Sequence, residues 1–530
     1  MTRRKSITGV ENIAQLRSRV PPHIAGKSKP ANGRSRLVVV LFLVVFPSLM
    51  VLPACLVGPK YSRPNVVAPL SFRGAEGAAE QASLADLPWW EVFQDKALAA
   101  LVKKALLNNY DLGIAVTRIE QARQIAAQAR AQYFPGVGYD GLIGETRNPL
   151  TAIAGVGGSK AKSKSAVLTI LSAAWEADLW GRIRRSNEAA RAQYLATEDG
   201  KRAVMLSLVG DVARAYFELL ALDSQLEIAK ETTHSFDQTL TLFRQRLQGG
   251  VASKLDTSRA AAAKASAAAS IPEIERQIGL KENQISVLLG QNPGPIPRTA
   301  KLLEESIPPN VPTGLPSALL ERRPDVLAAE QQVRAANAQI GVATAIMFPQ
   351  ISLSALFGRG SAPVSNYTSG NSNFWNFIAG AAGPIYEGGA LKANKRETVA
   401  FWKQTVLQYK QTVLSAFQDV SNALISREKY EAIRKEQAVA VQAYEESVKV
   451  SLLRYVAGKA SYYEVLEAQQ QLFPAQNSLV QTELNQRLVI VQLYKALGGG
   501  WKLQDAQWNG PQAAVPPVKG IPGQAQPQPH

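Results

Sequence analysis

The chain changes its rhythm of hydrophobic and polar positions within one segment, from Leu320 to Gly360. Up to about Met347 the segment is rich in alanine and charged residues, a composition typical of a helix. Beyond Pro349, apolar and polar residues alternate as on a half-buried strand, with one side formed by Ile351, Leu353, Ala355 and Phe357. A helix that continues into a strand is therefore predicted here, and residues 108–141 show the same change.

The two segments belong to an internal repeat, because residues match in order at a nearly constant spacing. At a spacing of 214 residues the matches are Asp111 with Asp325, Ala115 with Ala329, Ala122 with Ala336 and Pro135 with Pro349. At a spacing of 208 residues they are Arg246 with Arg454, Gly250 with Gly458, and Leu289-Gly290 with Leu497-Gly498. The fold unit is therefore predicted to occur twice in the chain.

Each copy is predicted to contain a helix, a strand, a polar loop, a second strand and then long helices. The four strands are expected near Val137–Arg147, Ser165–Trp180, Gln350–Arg359 and Phe374–Tyr386. Between Arg185 and Gly249 no proline interrupts the chain, so about 65 residues of helix would extend for about 100 Å. A seam at alternating steps of four and three, including Leu208, Val212, Ala215 and Leu219, is typical of a coiled coil.

A sheet within a lipid bilayer must close on itself, because backbone groups at an open edge find no hydrogen-bond partner in hydrocarbon. Four strands are too few to close, since the smallest membrane barrels have about eight. Three chains would supply twelve strands, which is an even number that can close. The fold class predicted is mainly α with a transmembrane β portion, helical on one side of the bilayer and β within it.

The first 54 residues have the layout of an export signal, with a basic stretch followed by an uncharged run from Leu37 to Ala54. The run ends in "LPAC", whose Cys55 is the only cysteine of the chain. This motif is similar to a bacterial lipobox, in which cleavage before the cysteine is followed by acylation. The alternative is a buried thiol in an N-terminal anchor helix. A single cysteine excludes an intramolecular disulfide.

The formal net charge of +17 does not indicate nucleic-acid binding. Nine of the 59 Lys and Arg residues lie in the first 54 positions, and the remainder of the chain carries only +9, spread along its length. No basic stripe with interleaved aromatic residues is present, so no nucleic-acid partner is expected.

Seven motifs between Cys55 and Trp501 follow a known family pattern: "CLVGPKYSRP" at Cys55, "WWEVFQD" at Trp89, "NNYDLGIAVTRIEQAR" at Asn108, "GLPSALLERRPDVLAAE" at Gly314, "AANAQIGVATAIMFPQISL" at Ala335, "RYVAGKASYYEVLEAQQQLF" at Arg454 and "LYKALGGGW" at Leu493. In these motifs the chain resembles the TolC-like outer-membrane factors, and within them the NodT-type lipoproteins, over roughly Cys55 to Trp501. The predicted boundaries are a signal peptide at 1–54, a lipidated tether at 55–87, repeats at 88–300 and 301–501, and a disordered tail at 502–530.

The resemblance implies a homotrimer with a twelve-stranded β-barrel in the outer membrane and a long α-helical barrel in the periplasm. Such a protein is the passive exit duct of a tripartite efflux pump, and its partners are a periplasmic adaptor and an inner-membrane transporter. No cofactor is expected apart from the lipid on Cys55, and no metal site. The type I secretion exit channel remains an alternative function.

The resemblance also implies a constriction at the periplasmic entrance, lined by acidic residues of the second copy's helix-to-helix turn. The matching positions are Glu464 and Glu467, and by the spacing of 208 their first-copy counterparts are Asp256 and Arg259. Together with Lys254, these two are candidates for stabilising the aperture. The alternative is an ordinary solvated helix start, where acidic residues favour the helix dipole.

Two rival classes of protein fit the sequence less well. An enzyme with a His-based metal site or catalytic triad is not indicated, because only two histidines, His234 and His530, follow the predicted cleavage site. A periplasmic scaffold lipoprotein would need the coiled coil alone. It would gain nothing from four alternating segments that contain Tyr139, Trp175, Phe357 and Trp375.

Overall fold

The computed structural model describes residues 56–75, 83–146, 164–298, 301–302, 312–361, 367–368, 372–504 and 507–508. They belong to one unit, Cys55–His530, and residues 1–54 form the other. The predicted signal peptide and Cys55 lie outside the described residues, as does the predicted tail apart from residues 502–504 and 507–508.

The described chain consists of seven longer helices and four strands. In order they are α1 Lys96–Asn108, α2 Tyr110–Ala131, β1 Gly136–Thr146, β2 Lys164–Ala177, α3 Arg182–Gln248, α4 Lys254–Leu288, α5 Pro324–Ala345, β3 Gln350–Ser361, β4 Asn373–Ala382, α6 Ala390–Val456 and α7 Tyr462–Ala496. Short helical turns occur at Leu84–Asp86, Trp89–Val92, Pro316–Ala318 and Leu319–Arg322. The predicted order of helices and strands is confirmed.

The two copies of the repeat have helices of equal length. Helices α2 and α5 each have 22 residues, α3 and α6 each have 67, and α4 and α7 each have 35. At about 1.5 Å per residue, α3 and α6 are each about 100 Å long. The predicted seam of α3 is buried at Leu208, Val212, Ala215 and Leu219. The internal repeat is therefore a repeat of structure.

The four strands form one antiparallel sheet in the order β1-β2-β3-β4. Strands β2 and β4 end at Ala177 and Ala382, earlier than the predicted ends at Trp180 and Tyr386. Strand β2 ends early because the next residue, Asp178, turns to the start of α3, where its carboxylate accepts hydrogen bonds from the backbone N–H groups of Ile183 and Arg184. Trp180 stacks on Phe348 instead, with ring centroids 4.9 Å apart.

One face of the sheet is apolar and uncovered. Tyr139 lies opposite Leu171, Leu171 opposite Phe357, and Phe357 opposite Trp375, so these four residues form a row across the whole sheet. All four side chains are more than half exposed. The opposite face is mixed: small and polar residues such as Gly138, Ser172 and Ser354 alternate with apolar ones such as Leu142, Ile170 and Leu356. An uncovered apolar face is what a sheet in contact with lipid requires.

The main hydrophobic core lies midway along the long helices, where α1 and the Trp89–Val92 turn pack on α3 and α7. Trp89 is 1% exposed. Its indole N–H donates to the Trp508 carbonyl at 3.0 Å, and Trp508 is itself only 3% exposed. The predicted tail boundary at residue 502 is therefore too early, because Trp508 belongs to the core.

Within the described residues, no helix has both the length and the apolar character that crossing a bilayer would need.

Candidate functional site

The two helix-to-helix turns far from the sheet have the same construction. Gly250 and Gly458 have left-handed backbones, with φ of 73° and 71°, which favour glycine. Next to them, the N–H of Val251 donates to the Arg246 carbonyl and the N–H of Lys459 to the Arg454 carbonyl. Each turn therefore stops one helix with a glycine and starts the next within a few residues.

The helix that follows each turn begins with a capping box. Ser253 caps α4 with Asp256 at the third position, and Ser461 caps α7 with Glu464 at the third position. Each carboxylate accepts the N–H of its own cap residue, at 3.2 Å for Asp256 and 3.3 Å for Glu464. Asp256 and Glu464 thus stabilise helix starts, as the alternative interpretation of these residues expected.

Glu464 and Glu467 also line one cleft at the lower ends of α6 and α7. The cleft has a volume of about 360 Å³, and Arg454, Tyr444 and Gln471 share its lining. Both glutamates are exposed, and Glu464 pairs with Arg454 at 3.9 Å. A long ion pair between exposed groups contributes little to stability. The two carboxylates are therefore available to solvent or to a neighbouring chain.

The predicted aperture-stabilising residues of the first copy lie close to the start of α7. Burial is the main reason that the pKa of Tyr462 is raised to about 12, and the Asp256 carboxylate adds to this rise while the Arg259 guanidinium opposes it. Lys254 is exposed, and its backbone carbonyl accepts the Thr257 hydroxyl at 2.9 Å. Glu464 forms its ion pair with Arg454, and the aperture role of Asp256, Arg259 and Lys254 stays a prediction.

A contact that the sequence analysis did not identify joins the two turns of one chain. The Arg246 guanidinium donates to the Tyr455 carbonyl at 3.2 Å and lies 4.6 Å from the centre of its ring. The ring of Phe243 packs edge-on against Tyr455 and Tyr462, at 5.1 Å and 4.2 Å between centroids. The sequence contained one indication of this contact, the match of Arg246 with Arg454 at the spacing of 208 residues. We call the group of Phe243, Arg246, Tyr455 and Tyr462 the lower clamp.

At the other end of the helices, the N-terminal segment is held against both repeats. The buried side chain of Arg185 donates to the carbonyl groups of Val57, Gly58 and Pro59, at 3.3, 3.4 and 3.0 Å. Asn337 of α5 donates to the same Pro59 carbonyl at 3.1 Å. The segment contains no helix or strand, and its beginning at Leu56 lies against Gly181, just beyond the end of β2.

The same segment is held further along by a buried carboxylate on α5. Glu330 is 5% exposed and pairs with Arg63 at 2.9 Å and with Arg334 at 2.7 Å, and it accepts the Tyr61 hydroxyl at 3.1 Å. Burial raises the pKa of Tyr61 to about 12. "KYSRP" and "LAAE" stand in separate segments of the sequence, and only the fold brings them together.

These features define a class of protein in which a membrane-inserted sheet is continued by long helical coiled coils. The model of the outer membrane efflux protein family matches residues 101–291 and 315–499. The chain belongs to this family. It is an outer-membrane channel protein and not an enzyme, so the scaffold and enzyme interpretations are set aside.

Known relatives cover nearly the whole chain. The antibiotic efflux pump outer membrane protein ArpC of Pseudomonas putida is 34% identical over 478 residues, which are 89% of this chain and 97% of that protein. The cation efflux system protein CusC of Escherichia coli is 32% identical over 469 residues, which are 87% and 99% of the two chains. Among solved structures, the outer-membrane channel OprN superposes with a TM-score of 0.78 at 29% identity, over 84% of this chain and all of that chain.

Proposed function

We propose that three copies of this chain form the outer-membrane exit duct of a tripartite efflux pump. The observation that carries the proposal is the sheet, which has four antiparallel strands, an uncovered apolar face and, among the described residues, edge strands at β1 and β4. In a bilayer those edges need partners, and the same edges of two further copies supply them in a closed twelve-stranded barrel. The long helices then continue the tube into the periplasm.

The duct is passive. Cargo enters at the turns, far from the sheet, from an inner-membrane transporter and a periplasmic adaptor, and leaves through the barrel. Relatives of about equal similarity are named for antibiotics in one case and for cations in another. We therefore assign the choice of cargo to the transporter, and the duct supplies a common outlet for small molecules.

The lipid anchor at Cys55 is part of the proposal. Its support is the lipobox-like "LPAC" and the placement of the next residue, Leu56, beside the base of the sheet, where acyl chains would reach the inner leaflet at once. Cys55→Ser is expected to abolish labelling with radioactive palmitate and to leave a longer precursor. Unchanged labelling of this variant would rule the anchor out. Insertion need not be lost completely, because the barrel is a second membrane attachment.

The proposal is tested on the purified protein in detergent and in planar bilayers. Native mass measurement is expected to give three copies of the processed chain, and the unheated complex is expected to migrate differently from the heated one on gels. The same preparation is expected to conduct ions. A stable monomer that conducts, or a trimer that never conducts, would contradict the proposed function.

A further inference from the structure

The four helices that adjoin the sheet enclose a cavity whose lining is uncharged. It has a volume of about 580 Å³ and is bounded by α2, the upper part of α3, α5 and the upper part of α6. Its polar lining is dominated by six exposed glutamines: Gln128, Gln132, Gln193, Gln332, Gln339 and Gln408. The rest of its lining is alanine, Ser186, Thr405, Ile125 and Phe401.

On α5 and α6, the cavity and the N-terminal segment lie on opposite faces of the helix. On α5, Asn337 contacts the segment and Gln339 lines the cavity, and a separation of two residues places them about 200° apart around the helix. On α6, Phe417 contacts Phe72 of the segment, with ring centroids 6.3 Å apart, and Gln408 lines the cavity. Gln408 and Phe417 are nine residues apart, which is about two and a half turns of helix, so they lie about 180° apart around α6. Both helices therefore give the same orientation.

The orientation decides which face is inside the tube, provided that the proposed trimeric duct is correct. The N-terminal segment begins beside Cys55, and acyl chains on this residue can enter the bilayer only from the outside of a closed barrel. The segment face is therefore the outer face of the helical wall. The opposite face, with the glutamines, lines the lumen just beneath the strands.

We infer that the six glutamines form an uncharged amide collar in the lumen, through which solutes of either charge sign pass without discrimination. An amide side chain both donates and accepts hydrogen bonds but carries no net charge, so it can exchange partners with cations, anions and zwitterions alike. Rings of charged side chains are what make pores selective for cations or anions. The acidic entrance at Glu464 and Glu467 would then determine the charge preference of the duct, and the collar would add none.

The first test converts the collar into a charged ring. Gln332→Glu with Gln339→Glu adds two carboxylates per chain, and in planar bilayers the permeability ratio of potassium to chloride is expected to rise severalfold. Gln332→Lys with Gln339→Lys is expected to lower it. The control is Lys60→Glu, because Lys60 is exposed on the N-terminal segment itself and therefore on the outer face. This control changes the charge by two units per chain and is expected to leave the ratio unchanged.

The second test uses the fact that the chain has only one native cysteine. In the bilayer, Gln339→Cys is expected to react with anionic and with cationic methanethiosulfonate reagents at similar rates, and each reaction is expected to alter the conductance. Lys60→Cys, on the N-terminal segment, is expected to leave the conductance unaltered by either reagent. A strong preference for one reagent at Gln339→Cys would contradict the lack of charge discrimination.

The outcomes separate this inference from the proposed function. If the unmodified trimer conducts but the glutamate, lysine and cysteine variants at the collar behave like it, the glutamines do not line the lumen and the inference is wrong, while the duct remains. If the control at Lys60 changes selectivity and the collar variants do not, the two faces are assigned the wrong way round. A protein that does not conduct at all overturns both.

Discussion

Gly58 lies directly on Gly341, so the N-terminal segment touches the backbone of α5 without any intervening side chain. A Cβ atom on Gly58 would come within 2.5 Å of the Gly341 Cα atom, and the φ angle of Gly58 is 94°. A Cβ atom on Gly341 would come within 2.7 Å of the Arg185 side chain, which holds the segment from the other side. This close approach fixes the beginning of the segment at the base of the sheet.

Gly58→Ala is therefore expected to detach the beginning of the segment. The left-handed backbone alone costs an alanine about 1–2 kcal/mol, and the clash with α5 adds to it. Limited proteolysis of the trimer is expected to cut within residues 56–75 much faster than in the parent protein. The control is Gly113→Ala, a helical position with nothing within 4 Å, where stability is expected to rise slightly. Equal proteolysis of Gly58→Ala and the parent would show that the contact is not needed.

Glu330→Gln is expected to weaken the attachment of the segment further along. The change removes the charge that pairs with Arg63 and Arg334, and the cost is expected to be about 1–3 kcal/mol, less than for a fully buried pair because both arginines are partly exposed. Glu321→Gln is the control, since Glu321 is 75% exposed and lies 3.6 Å from the same Arg63. Chemical denaturation monitored by helical circular dichroism compares the two variants, and the control is expected to stay within about 1 kcal/mol of the parent.

Asp199 is expected to make stability depend on pH. Burial raises the pKa of this carboxyl to about 6, and the Glu198 and Glu330 carboxylates add to the rise while Arg202 opposes it. Between its ordinary pKa near 4 and its folded value near 6, the folded chain keeps a proton that the unfolded chain has released. Stability from this group is therefore highest below about pH 4 and falls as the pH rises to about 6.

Asp199→Asn removes this dependence. At pH 8 the free energy of unfolding of the variant is expected to exceed that of the parent by about 1 kcal/mol, after allowance for solvent screening. The variant therefore melts at the higher temperature. At pH 4 the two proteins are expected to melt alike. Thermal unfolding at both values checks the sign, and an equal difference at the two pH values would show that the carboxyl does not titrate in this window.

Arg246→Ala is expected to loosen the lower clamp. It removes the hydrogen bond to the Tyr455 carbonyl and the contact with the ring, which together contribute about 1–2 kcal/mol. Hydrogen exchange of the backbone around residues 455–462 is expected to accelerate. Arg244→Ala is the matched control, because Arg244 is exposed on the same helix turn. Equal exchange in the two variants would mean that the two turns are held together by the Phe243 packing alone.

Glu464→Ala with Glu467→Ala tests the predicted aperture. In a trimer these residues would give six carboxylates near the axis, and their removal is expected to raise single-channel conductance and to weaken block by divalent cations. Glu273→Ala is the control, since Glu273 is an exposed carboxylate of α4 that pairs with Arg276 far from the turns. If the double variant and the control behave alike, the glutamates serve only as the start of a helix.

The sequence was sufficient for those parts of the fold that depend on local pattern. Alternation predicted the strands because one face of each is apolar, and the repeat spacing predicted equal helices because insertions would have broken it. The end of β2 was missed, because Asp178 and Trp180 make specific contacts that alternation does not encode. Trp508 was assigned to the tail because its surroundings are rich in proline and glutamine, whereas its indole belongs to the core.

The site was predictable only where the repeat or the family pattern marked it. Glu464 and Asp256 were found as matching positions, but the lower clamp needs residues 209 apart in the chain to meet. The attachment of Tyr61 to Glu330 joins residues 269 apart. No local pattern records such contacts, since each partner alone has the composition of an ordinary helix or an extended segment.

The equal lengths of α3 and α6 have a consequence for symmetry. Because both helices have 67 residues and the lower clamp joins their ends, the two turns of one chain lie at the same level. Three copies would present six turns of similar shape around one axis, but with alternating chemistry: Asp256 and Arg259 on one kind, Glu464 and Glu467 on the other. A partner that recognised only the shape of a turn could then bind in six equivalent positions, whereas one that recognised charge could bind in three.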